Sequence, residues 1–192
     1  MAAAAAARYA GVPEVQAAVL VPLLTAQRES ARPEPHLVLT RRRADLRRHP
    51  GEISFPGGRR DSADASLKET ALREAEEEIG LSRERVSVIG ELPATSTFAT
   101  NYLIHPFVAS VPAGLTWRLS AREVDTVLEL PLAALRASRT KTQLERRGIS
   151  FTTDAFVLDG NVIWGATARI IDDLLGRLQQ RSADGALMLA GA

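Results

Sequence analysis

The chain has 192 residues, 45% of them hydrophobic and 24% charged, with 24 basic residues against 23 acidic for a formal net charge of +1, and no cysteine. That length and apolar share suit one folded domain with a real core and exclude disorder over the whole chain. The absent cysteine excludes disulfides, thiolate metal sites and a thiol nucleophile and suits a reducing, cytoplasmic setting, while the cancelled charge argues against a nucleic-acid binder held by bulk electrostatics.

Met1 to Ala7 is an alanine tract without the basic and apolar regions of a secretory signal, and residues 1–12 and 181–192 are expected to be flexible tails around one domain at 13–180. The apolar run Ala17–Leu24 is broken by Pro22 and falls far short of the ~18 residues that span a bilayer, so no membrane partner is expected. Val15–Leu24 and His36–Thr40 read as strands separated by the loop Glu29–Pro35. Asp61–Ile79 reads as mostly helix, and Val86–Leu92, Ile104–Val111 and Val124–Leu130 as strands, after which Pro131 opens a short helical piece. Ser150–Leu158 and Asn161–Trp164 flank Asp159-Gly160, a strong hairpin turn, and Ala166–Leu178 closes the chain as a helix. Interleaved strands and helices without a repeat or long linker predict one mixed α/β domain.

The acidic helix carries its own boundaries. Ser66-Leu67-Lys68-Glu69 is a capping-box pattern, and Gly80 stands where a left-handed residue ends a helix. At about 100° per residue, Leu67, Ala71, Leu72, Ala75 and Ile79 form one apolar arc, with Glu74, Glu77 and Glu78 on its border and Glu69 and Glu76 pointing elsewhere. Like charges three and four residues apart cost about 0.2–0.5 kcal/mol per pair. Carboxylates at the electronegative C-terminal end of a helix cost about 0.3–1 kcal/mol each. A divalent cation removes both costs, and a donor set of carboxylate oxygens suits Mg²⁺ or Mn²⁺. Arg73 is four residues from both Glu69 and Glu77 and is placed to pair with either.

Two features precede that helix. Phe55-Pro56-Gly57-Gly58 lets backbone approach a metal or phosphate closely. Arg41, Arg42, Arg43, Arg47, Arg48 and His49 concentrate positive charge, relieved only by Asp45. Arginine forks, a glycine turn and a carboxylate cluster together predict a phosphate-plus-metal site.

Arg73-Glu74-Ala75-Glu76-Glu77-Glu78-Ile79-Gly80-Leu81 resembles the Arg-Glu-U-x-Glu-Glu-x-Gly-U part of the Nudix box, where U is an aliphatic residue. Leu39 to Arg42, Arg47, His49, Gly51 to Ser54 and Phe55 to Gly58 resemble the added signature of the coenzyme A diphosphatase branch of that family, and Asp61, Asp64, Thr70 to Leu72 and Ile163 to Ala168 match it too. The chain departs from the pattern twice. The box has one extra residue and lacks its first glutamate, for which Asp64 is the candidate substitute, and Arg43 stands where a small residue is usual.

The resemblance implies a Nudix α/β/α sandwich with a mixed sheet and a loop–helix–loop box. It implies Glu74 and Glu78 as metal ligands for Mg²⁺ or Mn²⁺, Glu77 as a third ligand or the group that positions water, and Arg73 as an orienting partner. A carbonyl of Gly57-Gly58 is expected to complete the shell, Glu123 is the nearest match to a later-loop base, and Arg42 and Arg47 are expected to bind substrate phosphate. The implied reaction hydrolyses the diphosphate of coenzyme A to 4′-phosphopantetheine and adenosine 3′,5′-bisphosphate, with no nucleic-acid partner, in a monomer or homodimer. Alternatives are another nucleoside diphosphate substrate such as ADP-ribose or NADH, a non-catalytic Nudix-like module, and RNA binding by the Arg41–Arg48 cluster. His105, beside Pro106 in a strand, is read as structural.

Overall fold

Strand β1 (Val15–Thr25) is the spine of the molecule, because its side chains are buried on both faces over most of its length. The computed structural model describes residues 12–25, 34–97, 100–146 and 148–190. Parallel to β1 lies β7 (Tyr102–Pro112), paired from Val15↔Tyr102 to Thr25↔Pro112. Around this pair an eight-stranded mixed sheet forms in the order β3 (Ile53–Ser54), β2 (His36–Arg42), β1, β7, β5 (Ser87–Glu91). The other three of the eight strands lie off this path: β4 (Gly57–Arg59) pairs with β1, β6 (Thr95–Ser96) with β7, and β8 (Val124–Pro131) with β2.

Alternation along the strands divides the core in two. Leu37 and Leu39 of β2 point to one face and Val38 to the other. On the Val38 face, Ala18, Leu20, Ala109 and Val111 pack against α1 (Leu67–Ile79) through Ala71, Leu72, Ala75 and Ile79, the arc predicted from the sequence. On the Leu37 face, Val21 and Val108 pack against α2 (Leu132–Ala137), the closing helix α3 (Gly165–Ala190) and a second sheet. That sheet has the order β9 (Arg139–Arg146), β10 (Ile149–Leu158), β11 (Asn161–Trp164). Helices on both faces of a mixed sheet are the expected sandwich, with a three-stranded sheet added on one side.

The structure moves three predicted boundaries. The helix begins at Leu67, not Asp61, because the Asp61 and Asp64 carboxylates bond to the amides of Ala63 and Asp61 at 2.9 Å each and so hold this stretch in a turn. Strand β9, unassigned in the sequence, consists of charged and polar residues apart from Leu144, and pairs with β10 with little burial. Helix α3 continues past Leu178 to Ala190. Residues 1–11, 191 and 192, and most of the Glu29–Pro35 loop, lie outside the described residues. Among the described residues no helix is long and apolar enough to cross a membrane.

Candidate active site

Helix α1 presents its carboxylates at a fixed angle because both ends are tied. The Ser66 hydroxyl accepts the Glu69 amide at 3.2 Å, and left-handed Gly80 (φ 69°) donates to the Glu76 carbonyl at 3.0 Å. With the apolar arc seated on the sheet, Glu78 is 5% exposed, the Glu74 side chain 17% and that of Glu77 60%. The sequence grouped all three on the border of the buried face. The structure brings Glu74 and Glu78 inward and leaves Glu77 in solvent.

The glycine turn lies directly beneath these carboxylates. Gly57 and Gly58 pair with Val19 and Ala18 of β1. A methyl group on Gly57 would overlap the Ala18 carbonyl and Val19, and one on Gly58 would overlap the Glu74 carboxylate, so neither position has room for a side chain. The Gly57 amide donates to Glu78 Oε2 at 3.4 Å.

Arg42 approaches from β2. Its Nη1 lies 3.8 Å from Glu78 Oε1 and 3.7 Å from Glu123 Oε2, and its buried Nε has no hydrogen-bond partner among the described residues. Glu123 is delivered by a loop that docks on the C-terminal end of α1. The amides of Arg118 and Ser120 donate to the carbonyls of Ile79 and Glu78 at 3.0 and 2.8 Å, groups that the helix itself leaves free. Glu123 closes the loop by donating its amide to the Ser120 carbonyl at 3.0 Å. Arg43 clamps it from the other side. Its amide donates to the Glu123 carbonyl at 3.0 Å and its Nη1 to the Ala121 carbonyl at 2.9 Å, while Asp45 holds its guanidinium at 2.8 and 2.9 Å.

Arg73 keeps Glu77, one of its two expected helix partners, and adds Asp64 and Glu74. It forks onto Asp64, with Nε 2.9 Å from Oδ1 and Nη2 3.0 Å from Oδ2, and its Nη1 reaches Glu74 at 2.9 Å and Glu77 at 3.3 Å. Glu69 is not among its partners. That carboxylate and Glu76 turn to Arg83, at 3.1 and 3.6 Å, because the helix presents them on the face away from the sheet. Asp64 also accepts the Thr70 hydroxyl at 2.8 Å, so the acid in the place of the box's first glutamate does hold the arginine.

The electrostatics follow from burial. Desolvation, reinforced by the neighbouring Glu74 charge and opposed by Arg42, pushes the Glu78 carboxyl up to about 8. Glu74 is raised as well, first by burial and against the pull of Arg73, and the Glu123 charge raises both. Asp64 is held well below the ordinary carboxylate range by its bonds from Arg73. A hard divalent cation is what such a pair of repelled, half-desolvated carboxylates fits, since the available donors are oxygens. Among the described residues no three His, Cys, Asp or Glu side chains are grouped closely enough to hold a metal, and Glu77 pairs with Arg73 at 3.3 Å.

Arg47 is exposed in the loop after β2 and takes part in no ion pair or side-chain hydrogen bond among the described residues, so the structure does not bring it to the carboxylates. His105 bonds Glu91 at 3.2 Å and Gln16 at 3.0 Å, away from them. Thr70, matched to the branch pattern in the sequence, supports the site through Asp64, as do the amides of Arg118 and Ser120, which the sequence did not single out. Thr70 carried a readable signal in its place one turn before Arg73, whereas backbone donors carry none.

A NUDIX domain model matches residues 14–150. Two relatives, from Salmonella paratyphi B and Salmonella newport, each named uncharacterized Nudix hydrolase NudL, are 42% identical over 161 residues, covering 83% of this chain and 80% of the relative. Among solved structures, the Nudix hydrolase RenU of M. smegmatis superposes with a TM-score of 0.54 at 21% identity over 65% of this chain and 75% of its own. The NUDIX domain of Shewanella oneidensis NrtR, solved with ADP ribose, gives 0.54 at 14% identity over 90% and 97%. These two likenesses establish the fold.

Proposed function

The chain belongs to the Nudix hydrolase family, enzymes that act on phosphoanhydride bonds, and from that premise we propose that it hydrolyses the diphosphate of coenzyme A to 4′-phosphopantetheine and adenosine 3′,5′-bisphosphate. The observation that carries this reading is a convergence of two sequence segments. Arg42, Gly57 and Gly58, from the stretch resembling the coenzyme A branch signature, meet Glu74 and Glu78 of the box helix: Arg42 stands 3.8 Å from Glu78, the Gly57 amide 3.4 Å from it, and Gly58 is packed against Glu74.

Family members generally use divalent metal ions, and Glu74 and Glu78 are the residues that hold Mg²⁺ or Mn²⁺ in this account. Bound there, the cation supplies Lewis-acid polarisation of the phosphoryl oxygens. The other steps belong to side chains. Arg42, with a buried Nε free to donate, binds a phosphoryl oxygen and offsets the charge that builds in the transition state. Glu123, half-exposed and on a loop fixed to the helix end, takes the proton of the attacking water at its carboxylate. Arg73 fixes Glu74 through a 2.9 Å contact and is itself fixed by Asp64. Gly57 and Gly58 let β1 and the Glu74 carboxylate pack closely on the turn, and Glu77, at the solvent edge, orients water.

The test is a panel of coenzyme A, acyl derivatives, ADP-ribose and NADH incubated with purified protein and Mg²⁺ or Mn²⁺, with products identified by mass. Coenzyme A compounds are expected to show the highest kcat/KM. Faster cleavage of ADP-ribose or NADH replaces the substrate assignment, and cleavage of none by folded protein removes the catalytic one.

A further inference from the structure

The segment Ile163–Ala168 has no part in the carboxylate site, yet its Trp164 borders a separate concavity. This is a cleft of about 500 Å³ between the loop before β3, the β9–β10 hairpin and the start of β11. That volume lies within the ~300–1,000 Å³ of small-molecule sites. Its walls include Phe151 and Trp164, whose rings sit 5.7 Å apart at 56°, with the Arg146 guanidinium 5.4 Å from the centre of the Trp164 ring. Polar groups rim the same space. Glu52 pairs with Arg146 at 2.7 Å, and Arg41 donates to the Asn161 side chain.

The cleft and the carboxylate site share one strand and one loop residue. Arg41 and Arg42 flank a register shift in the β2–β8 pairing, and there Arg42 meets Glu78 while Arg41 enters the cleft. Glu52 joins both, because its carbonyl accepts the Arg42 amide at 2.9 Å and its carboxylate lies in the cleft wall. The lining decides the kind of ligand. Both arginines already have partners in Glu52 and Asn161, which weakens the cleft as a site for phosphate alone. Two aromatic faces, a planar guanidinium, an amide and a carboxylate match a flat heteroaromatic ring with donors and acceptors on its edge. We infer that this cleft is the subsite for the nucleobase end of the substrate whose diphosphate lies at Arg42, Glu74 and Glu78. The inference rests on the proposed diphosphatase reading but is separable from it by experiment.

The chain has two tryptophans, and Trp117 packs on the opposite face, against the α1 cluster. In Trp117→Phe protein Trp164 is therefore the sole tryptophan reporter. Adenosine 5′-monophosphate titrated in EDTA, with inner-filter correction, is expected to change Trp164 fluorescence saturably, whereas ribose 5-phosphate and inorganic phosphate do not. Arg146→Gln in the same background is expected to weaken that binding about tenfold, the order of one lost stacking contact. In turnover assays with whichever diphosphate compound is cleaved, Arg146→Gln is expected to raise KM by a similar factor and to lower kcat less. No fluorescence response to the adenine nucleotide, an equal response to ribose 5-phosphate, or a fall in kcat at unchanged KM overturns the subsite. Hydrolysis without the fluorescence response removes the cleft assignment alone, whereas the response without hydrolysis of any diphosphate removes the diphosphatase reading and with it the cleft's role as part of that substrate site.

Discussion

Arg73 forks onto Asp64 with both nitrogen–oxygen distances near 3 Å, 2.9 and 3.0 Å, and with the same guanidinium holds Glu74 at 2.9 Å. The turn before the helix and the carboxylate inside the site are thereby one unit. Asp64→Asn keeps an acceptor for Thr70 but loses the charge-assisted fork, and is expected to cost about 2 kcal/mol, or roughly 4–8 °C in Tm. Urea unfolding of the variant measures this; an unchanged midpoint shows that the pair contributes nothing.

The same pair sets acid stability. Because folding holds the Asp64 carboxyl below its ordinary value, its contribution is complete above about pH 4 and is lost as the pH falls toward its folded value. Wild-type stability should therefore drop more steeply below about pH 4 than that of Asp64→Asn, whose curve should be flatter. Parallel curves contradict the assignment.

Glu78 behaves in the opposite sense. Its folded value of about 8 lies above the ordinary carboxylate range, so without metal folding is coupled to uptake of a proton, and stability falls as the pH rises from about 4.5 to about 8. Glu78→Gln in EDTA is accordingly expected to gain on the wild type in Tm between about pH 5 and about pH 8. Mg²⁺ or Mn²⁺ should stabilise the wild type by mass action and leave the variant unmoved. A Tm difference that is constant with pH rules out the buried-carboxylate account.

Glu123 and Arg43 separate chemistry from positioning. Glu123→Gln is expected to lower kcat about 100-fold with KM little changed, in the range for loss of a general base. Arg43→Ala retains the Glu123 carboxylate but frees its loop at Ala121, and is expected to lower kcat less, by about tenfold, reflecting misplacement of the base. Steady-state kinetics of both variants decides the point, and an Arg43→Ala enzyme with wild-type kcat removes the clamp.

Gly58→Ala places a methyl group against the Glu74 carboxylate. Overpacking of this kind costs about 1–3 kcal/mol or displaces the carboxylate. Loss of most activity with retained helical circular dichroism is the expected outcome; full activity shows that Glu74 moves aside freely.

Much of this arrangement was legible from residue spacing. The arc Leu67, Ala71, Leu72, Ala75 and Ile79 oriented the helix, and once it was oriented Glu74 and Glu78 had to face the sheet. Glu77 escaped the same reasoning because a wheel angle does not register competition. Arg73, drawn to Asp64, leaves Glu77 a salt bridge at the solvent edge. Strand β9 escaped because its partner β10, rather than a buried face, makes it a strand. The meeting of Arg42 with Glu123 depends on a loop fixed by backbone amides, which are identical in every residue type and leave no trace in the sequence.

The most direct test is the mass of the products formed from coenzyme A and Mg²⁺ by the wild type and by Glu78→Gln, both verified as folded. The account predicts 4′-phosphopantetheine and adenosine 3′,5′-bisphosphate from the wild type, abolished by EDTA, and intact coenzyme A with the variant. Intact coenzyme A with the wild type, or the same two products from Glu78→Gln at an undiminished rate, contradicts it.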